Sequence, residues 1–230
     1  MSFLSSALNI ILSLVAVFTA IVLHEVSHGY VAFRLGDPTP KQRGRLTLNP
    51  LAHVDPIGTI LVPLVLVLFN SPILFGWAKP VPVNPNYFRN PFKGMLYVAI
   101  AGPLANIALA VLSAGIGRLI LSALSVSLPI GNTFGANLMS AGFYLLGVFV
   151  IMNVILAVFN MIPIPPLDGS RVLTYFLPPE GRRIMIILER YGFLIILGLL
   201  MLGAIQGLFS LVSGLWQGLL GREWLYLIVG

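Results

Sequence analysis

Long apolar runs, separated by short polar or proline-rich stretches, dominate the pattern of hydrophobic and polar positions along this chain. Four of these runs are long enough to cross the hydrocarbon core of a bilayer, which takes about 20 helical residues. They cover Leu8 to Leu35, Gly94 to Leu124, Ala136 to Met161 and Tyr191 to Leu220. The pattern predicts an α-helical polytopic membrane protein with about four full transmembrane helices, built as one membrane-embedded domain over residues 1–230.

A fifth apolar run, Ile57 to Phe75, is interrupted by Pro63 and by the sequence Asn-Ser-Pro at 70–72. Its first half is short for a full crossing. The stretches on both sides are basic, and basic loops gather on the cytoplasmic side of a membrane. We therefore predict that this run is a re-entrant or hairpin segment, with a short span as the alternative.

The same charge rule orients the whole chain. The basic loops lie inside, so the N-terminus lies outside and four spans return the C-terminus to the outside. Ser125 to Gly135 is then a loop on the outer face, and the tail, Gly221 to Gly230, lies at the interface with Trp224 and Tyr226 as anchors. The N-terminal stretch has neither a positive start nor a small-residue cleavage site, so no removable signal peptide is predicted.

Composition excludes a soluble protein. The chain has 230 residues, 58% hydrophobic and 9% charged, with a mean hydropathy of +0.98, whereas a soluble domain carries about 25% charged residues. The net charge of +6 comes from basic residues in short loops, so the predicted partner is the lipid bilayer of the cell membrane and not nucleic acid. With no cysteine, a metal site must use His, Asp or Glu.

The stretch with the clearest chemistry is LHEVSHGY, at residues 23–30. On a helix, His24 and His28 lie one turn apart on one face, where two imidazoles can hold one ion. Glu25 is close enough to accept a proton from a water there. This arrangement is typical of a zinc hydrolase, with two histidine ligands and a glutamate as general base. The alternative, a polar face packed in a helix bundle, would leave these groups in apolar surroundings without partners.

A zinc site needs a third protein ligand, and the sequence NMIPIPPLDG, at residues 160–169, offers Asp168. Three prolines prevent a regular helix there, and Gly169 permits an unusual turn. Irregular backbone at membrane depth is tolerated where it lines a watery cavity, so a carboxylate on it can face a metal. A solvated helix cap is the alternative for Asp168.

The two motifs in this order resemble the site-2 protease family of intramembrane zinc metalloproteases. The resemblance covers about Leu8 to Leu173, and the further signatures NPLAHVDPIGT, FGWAKPVPVNP and AGPLAN resemble the compact prokaryotic branch without a PDZ domain. It implies that His24, His28 and Asp168 bind one Zn²⁺ per chain and that Glu25 is the general base.

The resemblance also suggests roles for three other residues. Asn160, eight positions before the aspartate, would donate a hydrogen bond to a developing oxyanion. The alternative is that its side chain only hydrogen-bonds to a frayed helix end. His53 is a candidate second electrophile or gate, with a simply solvated loop histidine as the alternative. Asn106 is either a partner of a metal ligand or an interhelical hydrogen-bonding residue.

The implied activity is hydrolysis of peptide bonds within or near transmembrane segments of membrane-protein substrates, at an active site toward the cytoplasmic side. An unwound substrate needs backbone partners, and a strand edge would supply them. We predict a small β-like edge segment at Trp77 to Val83 that binds substrate through Trp77, Lys79, Val81 and Val83, since its prolines restrict it to an edge.

Two other functions stay open from the sequence alone. The first is a membrane metal-binding or transport protein that uses the same three ligands, and the second is a proteolytically inactive scaffold. Glycines between Gly198 and Gly218 would let helices pack closely, which leaves a homo-oligomer open as well.

Overall fold

The structure is a computed structural model that describes residues 3–69, 76–124, 134–201, 203–221 and Trp224. Its helices are α1 (Phe3–Arg34), α2 (Thr39–Gln42), α3 (Val62–Leu68), α4 (Pro91–Leu124), α5 (Phe134–Asn160), α6 (Asp168–Phe176), α7 (Pro179–Glu189), α8 (Gly192–Met201) and α9 (Ala204–Leu220). Short 3₁₀ turns lie at Pro50–His53 and Pro85–Tyr87, and a π-helical turn, Pro56–Leu61, leads into α3. No strand occurs in these described ranges.

Three of the helices are long and apolar enough to cross a membrane: Ala7–Arg34, Pro91–Ala123 and Asn137–Asn160, within α1, α4 and α5. Each packs against the other two. Ser13 of α1 lies 3.0 Å from Tyr144 of α5, and one level further along both helices His24 is linked through Asn106 of α4 to Asn153 of α5. α1 and α5 therefore run parallel. α4 runs against them, because His28, later in α1, contacts Val98, earlier in α4. The ends that carry the two motifs therefore lie at one level, and the prediction of an α-helical membrane protein is confirmed.

The apolar run after the first loop forms only a short helix. The π-helical turn has 6 residues and α3 has 7, together about 20 Å long, which is shorter than a hydrocarbon core of about 30 Å. The chain then comes back to its starting point, because the Trp77 N–H donates to the Gly58 carbonyl at 3.1 Å and the Thr59 hydroxyl donates to the Trp77 carbonyl at 2.8 Å. This geometry favours the re-entrant hairpin over the short span.

The last predicted span, Tyr191 to Leu220, is not one continuous helix. The run is divided into α8 and α9, of 10 and 17 residues, and Gly203 between them has a left-handed φ of 75°. α9 packs against α4 and α5. Near its end, the Arg118 guanidinium of α4 donates to the Gly218 carbonyl at 2.5 Å, a favourable position for a cation because a helix C-terminus carries partial negative charge.

Trp224 is not an interfacial anchor. Its side chain is fully buried, and its indole N–H donates to the Phe143 carbonyl of α5 at 2.8 Å. The rings of Trp224 and Phe143 pack edge to face, with centroids 5.6 Å apart. Since the indole has both apolar neighbours and a hydrogen-bond acceptor inside the protein, it gains nothing from the interface. Tyr226, the other predicted anchor, lies outside the described residues.

Two further predictions concern residues 76–84 and residues 125–135. Residues 76–84, which contain the predicted β-like segment, are neither helix nor strand. The predicted outer loop, Ser125 to Gly135, lies outside the described residues over 125–133, and its last two residues begin α5.

Candidate metal centre

Three buried side chains converge where α1 meets the start of α6. The Nε2 atoms of His24 and His28 lie 3.0 Å apart, and each lies 3.2 Å from Oδ2 of Asp168. The histidines come from successive turns of α1, as predicted, and Asp168 is the first residue of α6. All three are buried, so the structure brings the two separate sequence motifs into one group able to hold a metal ion.

The hydrogen bond that each imidazole makes through Nδ1 determines whether its Nε2 carries a proton or a lone pair. The Nδ1 atom of His28 lies 2.6 Å from the Val98 carbonyl, and that of His24 lies 2.5 Å from Oδ1 of Asn106. These oxygens can only accept, so each Nδ1 carries the proton in the neutral ring. Both Nε2 atoms then present lone pairs toward Asp168 Oδ2, which has no hydrogen-bond donor among the described residues.

Three electron-rich atoms therefore face one another without a proton between them, and a cation is what would satisfy them. In a tetrahedral zinc site with bonds of about 2.0–2.1 Å, donor atoms lie roughly 3.3 Å apart. The spacings of 3.0 and 3.2 Å are close to that value. The residues present thus fit zinc, with the fourth position left for water or substrate.

A glycine in α4 makes room for the two imidazoles. A Cβ atom on Gly102 would lie 2.5 Å from His28 Nε2 and 2.6 Å from His24 Cε1. Any larger residue would therefore displace the metal-binding atoms. Within the motif AGPLAN only Asn106 was predicted to have a role, although a Gly-Pro pair inside a span is a signal that Gly102 is a special position.

A second close approach positions the aspartate. A Cβ atom on Gly169 would lie 2.3 Å from the Met161 carbonyl oxygen. Only glycine lets the first turn of α6 rest directly on the backbone that follows α5. The polypeptide therefore folds back on itself between α5 and α6, and this directs Asp168 toward α1. Asp168 is also 8% exposed, which argues against the alternative of a solvated helix cap.

Glu25 lies beside the metal-binding group. Its Oε2 accepts a hydrogen bond of 2.9 Å from the Val81 N–H. In the described part of the chain no other hydrogen bond reaches this carboxylate, so Oε1 is available to a water or a substrate. The bond to Val81 also attaches the extended segment 76–84 to the site, a contact that the sequence did not predict.

Two cavities of about 590 and 560 Å³ meet at the site, and both are lined by His24, Glu25, Asn160 and Pro166. The larger one has mixed walls, in which the polar residues Ser170, Arg171, Thr174 and Glu189 lie among prolines and apolar side chains, and it is the more polar of the two. The smaller one has mostly apolar walls from α1, α5, α8, residues 76–78 and the two residues before α6. Together they form a groove with a polar and an apolar arm, and the metal-binding group lies between the arms.

The predicted substrate-binding residues follow this groove in part. Trp77 lines the apolar arm, whereas Val81 and Val83 line the polar arm. Lys79 lines neither arm. Its backbone N–H instead donates to the His53 carbonyl at 2.9 Å, and its side chain is exposed.

The remaining predicted residues lie in three different settings. The Asn160 amide lines both arms while its Nδ2 donates to the Leu156 carbonyl at 3.0 Å. His53 is buried but lines neither arm, and its Nε2 lies 3.0 Å from the Thr47 carbonyl. Asn106 is fully buried behind His24, and it also donates to Asn153 of α5, a residue that sequence analysis missed.

The fold and the site together define a class of protein: a polytopic membrane protein with a buried metal-binding group between its spans. The profile of peptidase family M50 matches residues 113–201. A relative in Bacillus subtilis, "Putative zinc metalloprotease YwhC", is 37% identical over 195 residues, which cover 82% of this chain and 78% of that protein.

Two further relatives carry similar names. "Putative zinc metalloprotease Rip2" of Mycolicibacterium smegmatis is 32% identical, covering 85% of this chain and 71% of that protein. "Putative zinc metalloprotease MJ0611" of Methanocaldococcus jannaschii is 29% identical, covering 74% and 73%. The comparison with solved structures gave no match. The chain belongs to peptidase family M50, which confirms the resemblance to the site-2 proteases and identifies zinc as the metal.

Proposed function

We propose that this protein is an intramembrane zinc metalloprotease that cuts peptide bonds within or near the transmembrane segments of membrane-protein substrates. The observation that carries the proposal is that Asp168 of α6 converges on His24 and His28, which lie inside a span, with Glu25 beside them and a groove across all four. Ionisable groups at such depth are costly and mark a functional site.

Each site residue has a role in this proposal. His24, His28 and Asp168 hold the zinc, which supplies Lewis acidity that polarises a scissile carbonyl and acidifies water. Glu25 Oε1 takes a proton from the attacking water and then delivers it to the leaving amine. The Val81 N–H on Oε2 keeps the other carboxylate oxygen directed into the groove.

Asn160 is the proposed donor to the developing oxyanion. Its amide nitrogen carries two N–H groups, and the bond to the Leu156 carbonyl occupies one of them. The second is free to donate in the groove, beside the metal-binding group. The helix-end bond and the catalytic role are therefore compatible, since the first holds the amide in place for the second.

The two arms of the groove suggest where the parts of a substrate lie. The apolar arm suits a transmembrane segment, and the polar arm supplies the water that hydrolysis consumes. Arg34 is the last residue of α1, beside the first basic loop. His28 lies about 9 Å from it along the helix, at a rise of about 1.5 Å per residue, so the metal-binding group is near this end of α1. With the basic loops on the cytoplasmic side, the polar arm opens toward the cytoplasm of a multi-pass cell-membrane protein.

The segment 76–84 is the proposed clamp for an unwound substrate. It runs beside both arms, but its backbone offers only part of a strand edge. Lys79 and Val81 already donate their N–H groups to His53 and Glu25, and Pro80 and Pro82 have none. Along 79–82 a substrate can therefore pair only by donating its own N–H groups to carbonyl oxygens.

The function is tested with purified protein in detergent and a panel of single-span substrates. We expect cleavage by the wild type, loss of cleavage with a zinc chelator, and recovery with added zinc. Asp168→Asn should lower both zinc binding and cleavage. Zinc-independent cleavage, or zinc-dependent ion flux in vesicles without cleavage of any substrate, would contradict the proposal.

The clamp is tested separately with substrate peptides N-methylated at one position at a time. We expect positions that abolish cleavage to alternate with tolerant ones, because alternate N–H groups along an extended chain point to one side. A double variant with Val81→Gly and Val83→Gly should raise KM while zinc stays bound. A flat N-methylation profile and an unchanged KM would remove the clamp from the mechanism.

A further inference from the structure

We infer that Asn153 is a positioning residue for zinc, acting through Asn106 on His24. The inference rests on the proposed role of His24 as a zinc ligand. It assigns Asn153, in the middle of α5, the task of keeping the metal-binding nitrogen of His24 free of a proton. Asn153 was not among the residues predicted for the site from the sequence.

The contacts form one continuous chain across three helices. The Asn153 amide nitrogen donates to the Phe149 carbonyl at 2.8 Å. Its Oδ1 accepts from the Asn106 amide nitrogen at 2.7 Å, and Asn106 Oδ1 lies 2.5 Å from His24 Nδ1. Asn106 and Asn153 are both fully buried, so water does not compete for these bonds.

The Phe149 carbonyl, at the end of this series of hydrogen bonds, determines which group donates in each of them. A backbone carbonyl only accepts, so the NH₂ group of Asn153 must face Phe149, and its oxygen must face Asn106. Asn106 then turns its NH₂ group toward Asn153, where a second carbonyl, that of Ala20, also lies 3.4 Å away. The Asn106 oxygen is left to face His24, which must donate from Nδ1.

The opposite orientation would disable the ligand. If Asn106 turned its NH₂ group toward His24, Nδ1 would have to accept, and the proton of the neutral ring would move to Nε2. That nitrogen lies 3.2 Å from Asp168 Oδ2 and is the atom that would bind zinc. Asn153 blocks this state because a rotated Asn106 would bring its oxygen against the Asn153 oxygen.

The variant that tests the inference is Asn153→Leu, which is similar in size and removes both polar atoms. Outer partners of a metal-binding histidine are worth about 10–100-fold in metal affinity. Asn153 acts on His24 only through Asn106, so we expect Asn153→Leu to weaken zinc binding by about 10-fold, the lower end of that range, measured by chelator competition. Asn153→Asp should stay close to the wild type, because a buried carboxyl group without a cation beside it stays neutral, so that its O–H donates to Phe149 and its other oxygen accepts from Asn106.

A matched control separates positioning from stability. Tyr144→Phe removes the hydrogen bond between α5 and Ser13 of α1, far from the metal-binding group. It should lower the unfolding temperature without changing zinc affinity. If Asn153→Leu behaves like Tyr144→Phe, or if Asn153→Asp loses as much affinity as Asn153→Leu, the inference is overturned.

A replacement variant and the choice of zinc affinity as the readout let the experiment decide in every case. Asn153→Ala replaces Asn153→Leu if the larger side chain prevents folding, and the same loss of zinc affinity is expected. Because the readout is zinc affinity, an intact zinc site in a protein that cleaves no substrate would contradict the proposed function and leave this inference standing. A wild type that binds no zinc would overturn both.

Discussion

The sharpest consequence of the packing concerns Gly102, where one methyl group should disable the site. In Gly102→Ala the new Cβ atom would start 2.5 Å from His28 Nε2 and 2.6 Å from His24 Cε1. Ordinary contacts begin at about 3.5 Å, so the imidazoles or α4 must move by roughly 1 Å. Zinc–ligand distances in protein sites stay within about 0.2 Å of their standard values, so a shift of this size would not leave the site intact.

The size of the effect follows from the cost of overpacking. Extra methyl groups in a close-packed core cost about 1–3 kcal/mol. At a factor of ten per 1.4 kcal/mol, zinc affinity should fall by about 5-fold to 150-fold if the imidazoles absorb this strain. Cleavage should fall at least as much, since the chemistry needs a correctly placed metal.

Gly115 provides the matched control, because it lies on the same helix and a Cβ atom there would meet nothing within 4 Å. We would measure zinc affinity by chelator competition, cleavage of a single-span substrate and thermal unfolding for both variants. Gly115→Ala should match the wild type in zinc affinity and cleavage and should unfold at the same or a slightly higher temperature, because alanine favours a helix over glycine. Wild-type zinc affinity and cleavage in Gly102→Ala would refute the idea that close packing of α4 shapes the site.

Two other substitutions should separate chemistry from architecture. Asn160→Ala should lower kcat by about 10²–10³-fold, the usual loss for an oxyanion donor, with zinc content unchanged; a drop in unfolding temperature with full activity would instead assign Asn160 to the helix end alone. Gly169→Ala should reduce both zinc content and thermal stability, because its Cβ atom would meet the Met161 backbone, which cannot yield as a side chain does. Full zinc content in that variant would show that the start of α6 can shift freely.

The parts of this protein that sequence patterns predict are those governed by local spacing. An interval of four residues places His24 and His28 on one face of any helix. Asp168 was the one carboxylate in broken backbone at the end of a span. Hydropathy located α1, α4 and α5 for the same reason, since length and apolarity suffice to predict a crossing.

The missed features all depend on which helices touch. Gly102, Asn153 and Val81 reach the site only because α4, α5 and the segment 76–84 pack against α1, and no local pattern carries that information. Trp224 was predicted at the membrane interface because tryptophans are common there, but the Phe143 carbonyl gives its indole N–H an acceptor inside the protein. The division of the last run at Gly203 was hidden for a related reason, because hydropathy is uniform across the break.

Comparison of the wild type with Glu25→Gln tests whether this protein is a zinc hydrolase in which Glu25 is the general base. Zinc content and cleavage of one single-span substrate would be measured on the same detergent-purified samples. Glutamine keeps the shape of Glu25 but cannot accept the proton, so the account predicts about one zinc per chain in both proteins and cleavage by the wild type only. Cleavage that persists in Glu25→Gln, or a wild type without zinc, would contradict it.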